Sequence, residues 1–207
     1  MPEKSLTLTS NPDLNIITFY YEYVIKHHYE VRYLEIGTNV ELAQLKHVIT
    51  AKSEVVELAK TITNYRPHSV VSTYPNLVRG SSANYISTKL GVVDPVSQDA
   101  QVITFYYAPE HVDITGTKTW VDQGIEAPDQ RPDSLSITLY ANNVELSPQP
   151  VPTWTSEGDT WTYTYINLPA AAEGVPKHYT VRETVPNNYV ASHVDKDAPG
   201  GTNITNT

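Results

Sequence analysis

Three polar residues fall on strand faces that otherwise carry large apolar side chains. Side chains alternate across a strand, so a strand starting near Ile114 places Lys118 on the same face as Ile114, Gly116 and Trp120. By the same parity Glu183 shares a face with Tyr179 and Val181, and Asn206 shares one with Ile204. If the apolar residues point inward, so do a Lys, a Glu and an Asn. A desolvated Lys gives up its proton more readily and becomes a nucleophilic amine, while a desolvated carboxylic acid keeps its proton and can hydrogen-bond a carboxamide oxygen. Attack of the Lys118 amine on the Asn206 side-chain carbonyl, with Glu183 shuttling protons, would expel ammonia and leave an amide crosslink. Ile114, Trp120, Val181 and Ile204 would wall off the water that hydrolyses reactive intermediates. Parity alone leaves a plainer alternative open, in which Lys118 snorkels at a sheet edge, Glu183 pairs with it and Asn206 belongs to a frayed end.

The elements that must position these residues read as short antiparallel strands. Leu135, Ile137, Leu139 and Ala141 alternate with Ser136, Thr138 and Tyr140, and Trp161, Tyr163 and Tyr165 alternate with Thr162 and Thr164. Such strands separated by turn clusters predict a sandwich, with a polar loop from Asp122 to Asp133 outside its core. Ala108-Pro109-Glu110-His111 reads as an interdomain joint, dividing the chain into residues 1–109 and 110–207 with few contacts between the halves.

In the first half, Tyr29, Val31 and Tyr33 alternate before a turn at Gly37-Thr38-Asn39, which predicts a strand entering a hairpin. Val55, Leu58, Ala59 and Ile62 fall at helical spacing behind a capping Ser53, so 53–62 is predicted as a short helix. Residues 65–100 are rich in Ser, Asn, Pro and Gly and read as strands joined by loops. Ile16-Ile17-Thr18-Phe19-Tyr20-Tyr21 recurs as Val102-Ile103-Thr104-Phe105-Tyr106-Tyr107, so the first copy reads as the closing strand of a preceding, truncated repeat.

Composition narrows the function classes. A formal charge of −9 with no basic cluster argues against nucleic acid. Zero cysteines removes disulfides and thiolate chemistry, and no stretch is long and apolar enough to span a membrane. With 15 Tyr against 2 Phe, the chain favours half-wet pleated surfaces over helices. Met1-Pro2-Glu3 begins no signal peptide, and we read the sequence as an excerpt of a longer chain. His27-His28 with Glu30 forms no metal site on a strand, because neighbouring side chains point to opposite faces. No phosphate loop, nucleophile elbow or His-Glu-x-x-His is present, so no cofactor, metal or multiple-turnover enzyme is expected. Asn203-Ile204-Thr205 fits a glycosylation sequon but already belongs to the terminal strand. Exposed rows such as Tyr20, Tyr21 and Tyr23 offer flat faces for sugar rings, though such residues also simply cover β-surfaces.

Gly116-Thr117-Lys118-Thr119-Trp120-Val121-Asp122, then Arg131-Pro132-Asp133 through Tyr140-Ala141-Asn142, Trp161-Thr162-Tyr163, Asn167-Leu168-Pro169, Tyr179-Thr180-Val181-Arg182-Glu183, Asn188-Tyr189 and Ile204-Thr205-Asn206-Thr207 follow in order. This succession resembles the Cna B-type domain of Gram-positive surface adhesins and pilins over residues 112–207. The resemblance implies an Ig-like antiparallel β-sandwich in which Lys118 joins Asn206 with help from Glu183, the residues that parity selects. Asn143 stands where the family usually has Gly. The first half resembles MucBP-like repeats through Tyr29-Glu30-Val31-Arg32-Tyr33-Leu34, Gly37-Thr38, Lys60-Thr61-Ile62-Thr63-Asn64-Tyr65 and the closing Val102–Tyr107 segment. That resemblance implies a β-grasp-like fold, here with Asn64 for the usual Gly and an extra insertion over 74–91. Together they imply a stalk or adhesin segment on the extracellular, cell-wall surface of a Gram-positive bacterium, with a mucin or glycan-binding module and an accessory domain of a secreted enzyme as alternatives. Host mucin, glycan or matrix protein would be the partners.

Overall fold

The alternation of apolar and polar residues resolves into seventeen strands in the computed structural model, which describes residues 10–11, 19–22, 24–73, 78–91, 100–122 and 131–207. The first half contains β1 (His27–Glu35), β2 (Glu41–Thr50), β3 (Glu54–Leu58), β4 (Tyr65–Ser72), β5 (Val78–Ser82), β6 (Tyr85–Lys89) and β7 (Gln101–Pro109). Its main sheet has the order β2-β1-β7-β4, with β1 and β7 parallel at the centre. First and last strands side by side and parallel, flanked by antiparallel neighbours, make a β-grasp-like sheet. A second sheet, β3-β6-β5, shares its core: Val55 and Ile86 join Tyr29, Val31, Tyr33, Ile103, Phe105 and Tyr107.

The helix expected over 53–62 is replaced by β3, and no helix occurs among the described residues. Val55 and Glu57 are buried while Glu54, Val56 and Leu58 are exposed, which is a period of two. Residues 55 and 59 suit either period. Pairing of β3 with β6 decides between them, and β6 lies in the 74–91 stretch that the MucBP-like resemblance sets apart as an insertion. Within it, 74–77 lie outside the described residues.

The second half contains β8 (His111–Trp120), β9 (Ile137–Ala141), β10 (Val144–Glu145), β11 (Thr153–Glu157), β12 (Thr160–Pro169), β13 (Ala171–Ala172), β14 (Val175–Pro176), β15 (Tyr179–Glu183), β16 (Ala191–Asp195) and β17 (Thr202–Asn206). Two sheets, β11-β12-β8-β17-β16 and β10-β9-β15, face each other as an Ig-like sandwich. Ile114, Tyr163 and Ile204 from one sheet meet Leu139 and Val181 from the other. The β9–β10 turn uses Asn142 and Asn143, both at positive φ (50° and 65°), the conformation for which Asn substitutes for Gly. Residues 123–130 of the loop after Asp122 lie outside the described residues.

The halves meet at more than the joint. Glu110 donates its backbone N–H to Asn64 and accepts one from Ala170. The β13–β14 hairpin reaches across, so that Ala171 is buried in the core of the first half. The Gly174 N–H donates to Glu35 Oε2 at 3.0 Å and to the Tyr65 hydroxyl at 2.9 Å, and the Tyr65 hydroxyl donates to Glu35 at 3.1 Å. A small hydrogen-bonded clamp thus joins the halves beside the joint. Its donor segment, Ala171–Pro176, is too short to be visible as a hairpin in the apolar pattern.

Candidate functional site

β8 lies between β12 and β17, antiparallel to the first and parallel to the second. Lys118 is in register with Ile204, and Trp120 with Asn206, so Lys118 and Asn206 stand diagonally on one face of adjacent strands. Glu183 reaches the same place from β15 of the facing sheet. The Lys118 Nζ donates to Glu183 Oε1 at 3.0 Å and lies 2.9 Å from Oε2. Both side chains have no solvent exposure.

β17 is held in this register by its first residue. Thr202 N–H donates to the Tyr163 hydroxyl, which donates back to the Thr202 carbonyl. Val181 N–H donates to Thr202 Oγ1, which in turn donates to Asp195. Gly116 permits this approach, since a Cβ there would collide with the Thr202 carbonyl and the Tyr163 ring and hydroxyl. At the far end the Val121 N–H donates to the Asn206 carbonyl, and Thr207 and Val190 exchange backbone hydrogen bonds. Asn203, of the sequon, points the other way and accepts from Thr117.

Trp120 Nε1, Tyr165 Oη, Glu183 Oε2 and His193 Nε2 are buried without hydrogen-bond partners among the described residues, and Asn206 lacks them on both of its polar atoms. The Asn206 carboxamide is fully buried. Leaving a buried polar group unsatisfied costs about 1–3 kcal/mol, so such a group needs an explanation. Burial lowers the Lys118 pKa below the usual ammonium value, and the hydrogen bond and charge of Glu183 only partly offset this. A lysine whose charged form is disfavoured by burial, the carboxylate it is hydrogen-bonded to and a carboxamide without a partner are therefore brought to one apolar chamber.

Aromatic rings close the chamber. Lys118 Nζ sits 4.5 Å from the Trp120 ring centroid, and Trp120 packs edge-on against Trp161 and Tyr189 at 5.3 and 5.0 Å. The Tyr189 hydroxyl donates to Asp122, which Arg131 also binds while it reaches Asp159. Of the residues named from sequence as surrounding wall, Ile114, Trp120, Val181 and Ile204 are all buried. Tyr189, Arg131 and Asp122 appeared only as parts of a motif. Their closing role depends on loops whose course parity does not describe. His193 was also missed, because the residues that share its face of β16, Ala191 and Asp195, form no apolar stripe for parity to act on.

The other candidates lie elsewhere. His27 is buried with Nδ1 2.9 Å from the Gly91 carbonyl, while His28 is exposed on the opposite face of β1. Tyr20 and Tyr21 are exposed, and Tyr23 lies outside the described residues.

Residues 114–207 match the family model described as the Cna protein B-type domain, and this segment is a Cna B-type domain. A collagen adhesin of Staphylococcus aureus is 28% identical over 133 residues, which cover 64% of this chain and 11% of that protein. Two solved structures of the collagen-binding surface protein of S. aureus are also similar. A single B repeat unit is 17% identical with a TM-score of 0.35, covering 88% of this chain and 97% of that one. A two-repeat structure is 15% identical with a TM-score of 0.35, covering 88% and 75%.

Proposed function

We propose that the chain is a load-bearing stalk or adhesin segment of a Gram-positive cell-surface protein, locked by a self-formed isopeptide bond between Lys118 and Asn206. The observation that carries this reading is the buried, unpartnered Asn206 carboxamide beside a fully buried Lys118–Glu183 pair. The Lys118 ammonium passes a proton to Glu183, and the neutral amine attacks Asn206 Cγ. As the new C–N bond forms, a second amine proton moves by way of Glu183 to Nδ2. The Cγ–Nδ2 bond then breaks and ammonia leaves, with one proton remaining on Glu183. The two unsatisfied carboxamide atoms are thereby removed or given a partner, since Glu183 as an acid can donate to the new amide oxygen. This is a single-turnover reaction on the chain itself and requires no cofactor.

The position of the bond supports a mechanical role. β8 and β17 are the first and last strands of the sandwich and lie side by side. A tensile load entering at residue 111 and leaving at residue 207 would pass from Lys118 to Asn206 without unravelling the strands between. The similarity to a collagen adhesin supports surface display outside the cell, with a matrix protein as the partner of the longer protein. The first half we read as a MucBP-like repeat in the same stalk. Single-molecule pulling from the two ends tests the role. The unfolding trace of the second half should lack the roughly 300 Å of chain between Lys118 and Asn206. Release of that full length in the wild-type chain would contradict it.

A further inference from the structure

The outermost strand of the larger sheet brings a histidine to the reacting groups. Ala191 on β16 is in register with Asn206, and His193 is in register with Ile204, which is itself in register with Lys118. Residues in register on neighbouring strands share a face, so His193, Ile204 and Lys118 form one row across β16, β17 and β8. β15, which carries Glu183, packs against both β16 and β17. His193 is partly buried, but its Nε2 is sealed from solvent and has no hydrogen-bond partner among the described residues.

We propose that His193 is a positioning residue that sets when the crosslink forms, permitting proton transfer from Lys118 to Glu183 when its imidazole is neutral and opposing it when it is protonated. This rests on the isopeptide reading above. An imidazolium near Glu183 stabilises the carboxylate, which then has no tendency to take the Lys118 proton, and the amine stays unreactive. A neutral imidazole offers a lone pair to the protonated acid and favours the state from which attack proceeds.

The charged groups that act electrostatically on His193 are Glu183 and Arg182 from β15, Lys118 from β8 and Asp195 from its own strand. Asp195 is committed to a two-pronged ion pair with Arg182 and to Thr202, which leaves Glu183 as the acidic group still able to respond. Burial, with Arg182 and Lys118 nearby, lowers the His193 pKa below the ordinary imidazole value and outweighs the opposing effect of Glu183 and Asp195. The crosslink therefore forms freely at neutral pH, and its rate falls as pH drops through the titration of His193. At pH values below that point the loss is about tenfold per unit, the dependence of a single titrating group.

The test uses the full chain with a photocaged lysine at position 118. The cage is removed by light in urea, and the chain is diluted into buffers from about pH 5 to about pH 8. Intact mass follows the loss of one ammonia with time, while tryptophan fluorescence follows refolding. The wild type should slow in acid although refolding does not, and His193→Gln should lose that dependence. Identical rate profiles in both chains would overturn the role of His193 while leaving the bond intact. No ammonia loss in the wild type at any pH would overturn the bond itself. Should His193→Gln not fold, an NMR titration of His193 in the uncrosslinked Asn206→Ala chain replaces it. Its midpoint must coincide with that of the wild-type rate, and a mismatch overturns the proposal.

Discussion

Each half of the molecule holds a Lys–Glu pair against aromatic residues, and the two pairs do different things. In the first half Lys46 donates to both oxygens of Glu57 at 2.7 and 2.8 Å, and the Tyr29 hydroxyl donates to Oε1 at 2.6 Å. The Lys46 side chain is 46% exposed, so its charge remains hydrated while Glu57 stays within the core. Every group has what it needs, and the arrangement is a structural ion pair at the margin of a sheet. In the second half neither partner of Lys118–Glu183 touches solvent, and a carboxamide without a hydrogen bond stands beside them. Coulomb attraction in such a place has to offset the desolvation of two ions. The same two residue types thus form a hydrated ion pair where water reaches one of them and a fully desolvated one where it reaches neither, the setting that the proposed proton transfer needs.

The largest test of this contrast is to remove each lysine. Lys118→Ala should cost the second half at least roughly 4 kcal/mol, the scale of a crosslink closing a long loop, because it also strands Glu183 without a partner. Lys46→Ala should cost less, about 1–3 kcal/mol, because the buried Glu57 carboxylate keeps the Tyr29 hydroxyl as a donor and water can enter the half-exposed place of the ammonium. All three tryptophans lie in the second half, at 120, 154 and 161, so denaturation followed by fluorescence isolates that half. Circular dichroism reports both halves. Equal losses in the two variants would erase the distinction.

A smaller effect is expected at the clamp between the halves. Tyr65→Phe removes one acceptor for the Gly174 N–H and the hydroxyl donor to Glu35. A loss of about 1–2 kcal/mol is expected, with faster hydrogen exchange at the Gly174 amide. Unchanged exchange there would mean that the hairpin holds its place without these bonds.

The smallest effect is on the acid limb. Hydrogen bonds from Arg182 hold the Asp195 carboxyl down to about 2, against an unfolded value of about 3.9. Because the folded pKa is the lower one, the stabilisation is complete above about pH 4 and is lost as pH falls through about 2. In Asp195→Asn the fluorescence-detected stability should change less over that window than in the wild type. An identical acid limb would remove Asp195 from the account.

How much of this was legible in the sequence depended on where the partners lay. Lys118, Glu183 and Asn206 could be singled out because each sits on a regular strand beside large apolar residues, and parity needs no knowledge of the neighbouring strand. Their convergence needed the resemblance, since alternation says which face a residue takes and not which strands become neighbours. Segment 53–62 failed for the reverse reason. Glu57 is buried only because Lys46 and Tyr29 satisfy it, and those partners stand on β2 and β1. The local spacing of Val55, Leu58, Ala59 and Ile62 carries no trace of those partners and is consistent with a helix. Gln101 illustrates the same limit: it is fully buried and bonded to Ser72, Thr88 and the Gly91 N–H, partners that no local pattern connects to it.

The central claim is that Lys118 and Asn206 become one covalent unit, and intact-mass spectrometry of the purified chain tests it most directly. The wild type should weigh one ammonia less than its sequence requires, while Lys118→Ala and Glu183→Ala should each show full sequence mass, the first lacking the nucleophile and the second the proton carrier. A wild-type chain at full sequence mass would contradict the account and leave Lys118 and Glu183 as a buried ion pair beside an unsatisfied asparagine.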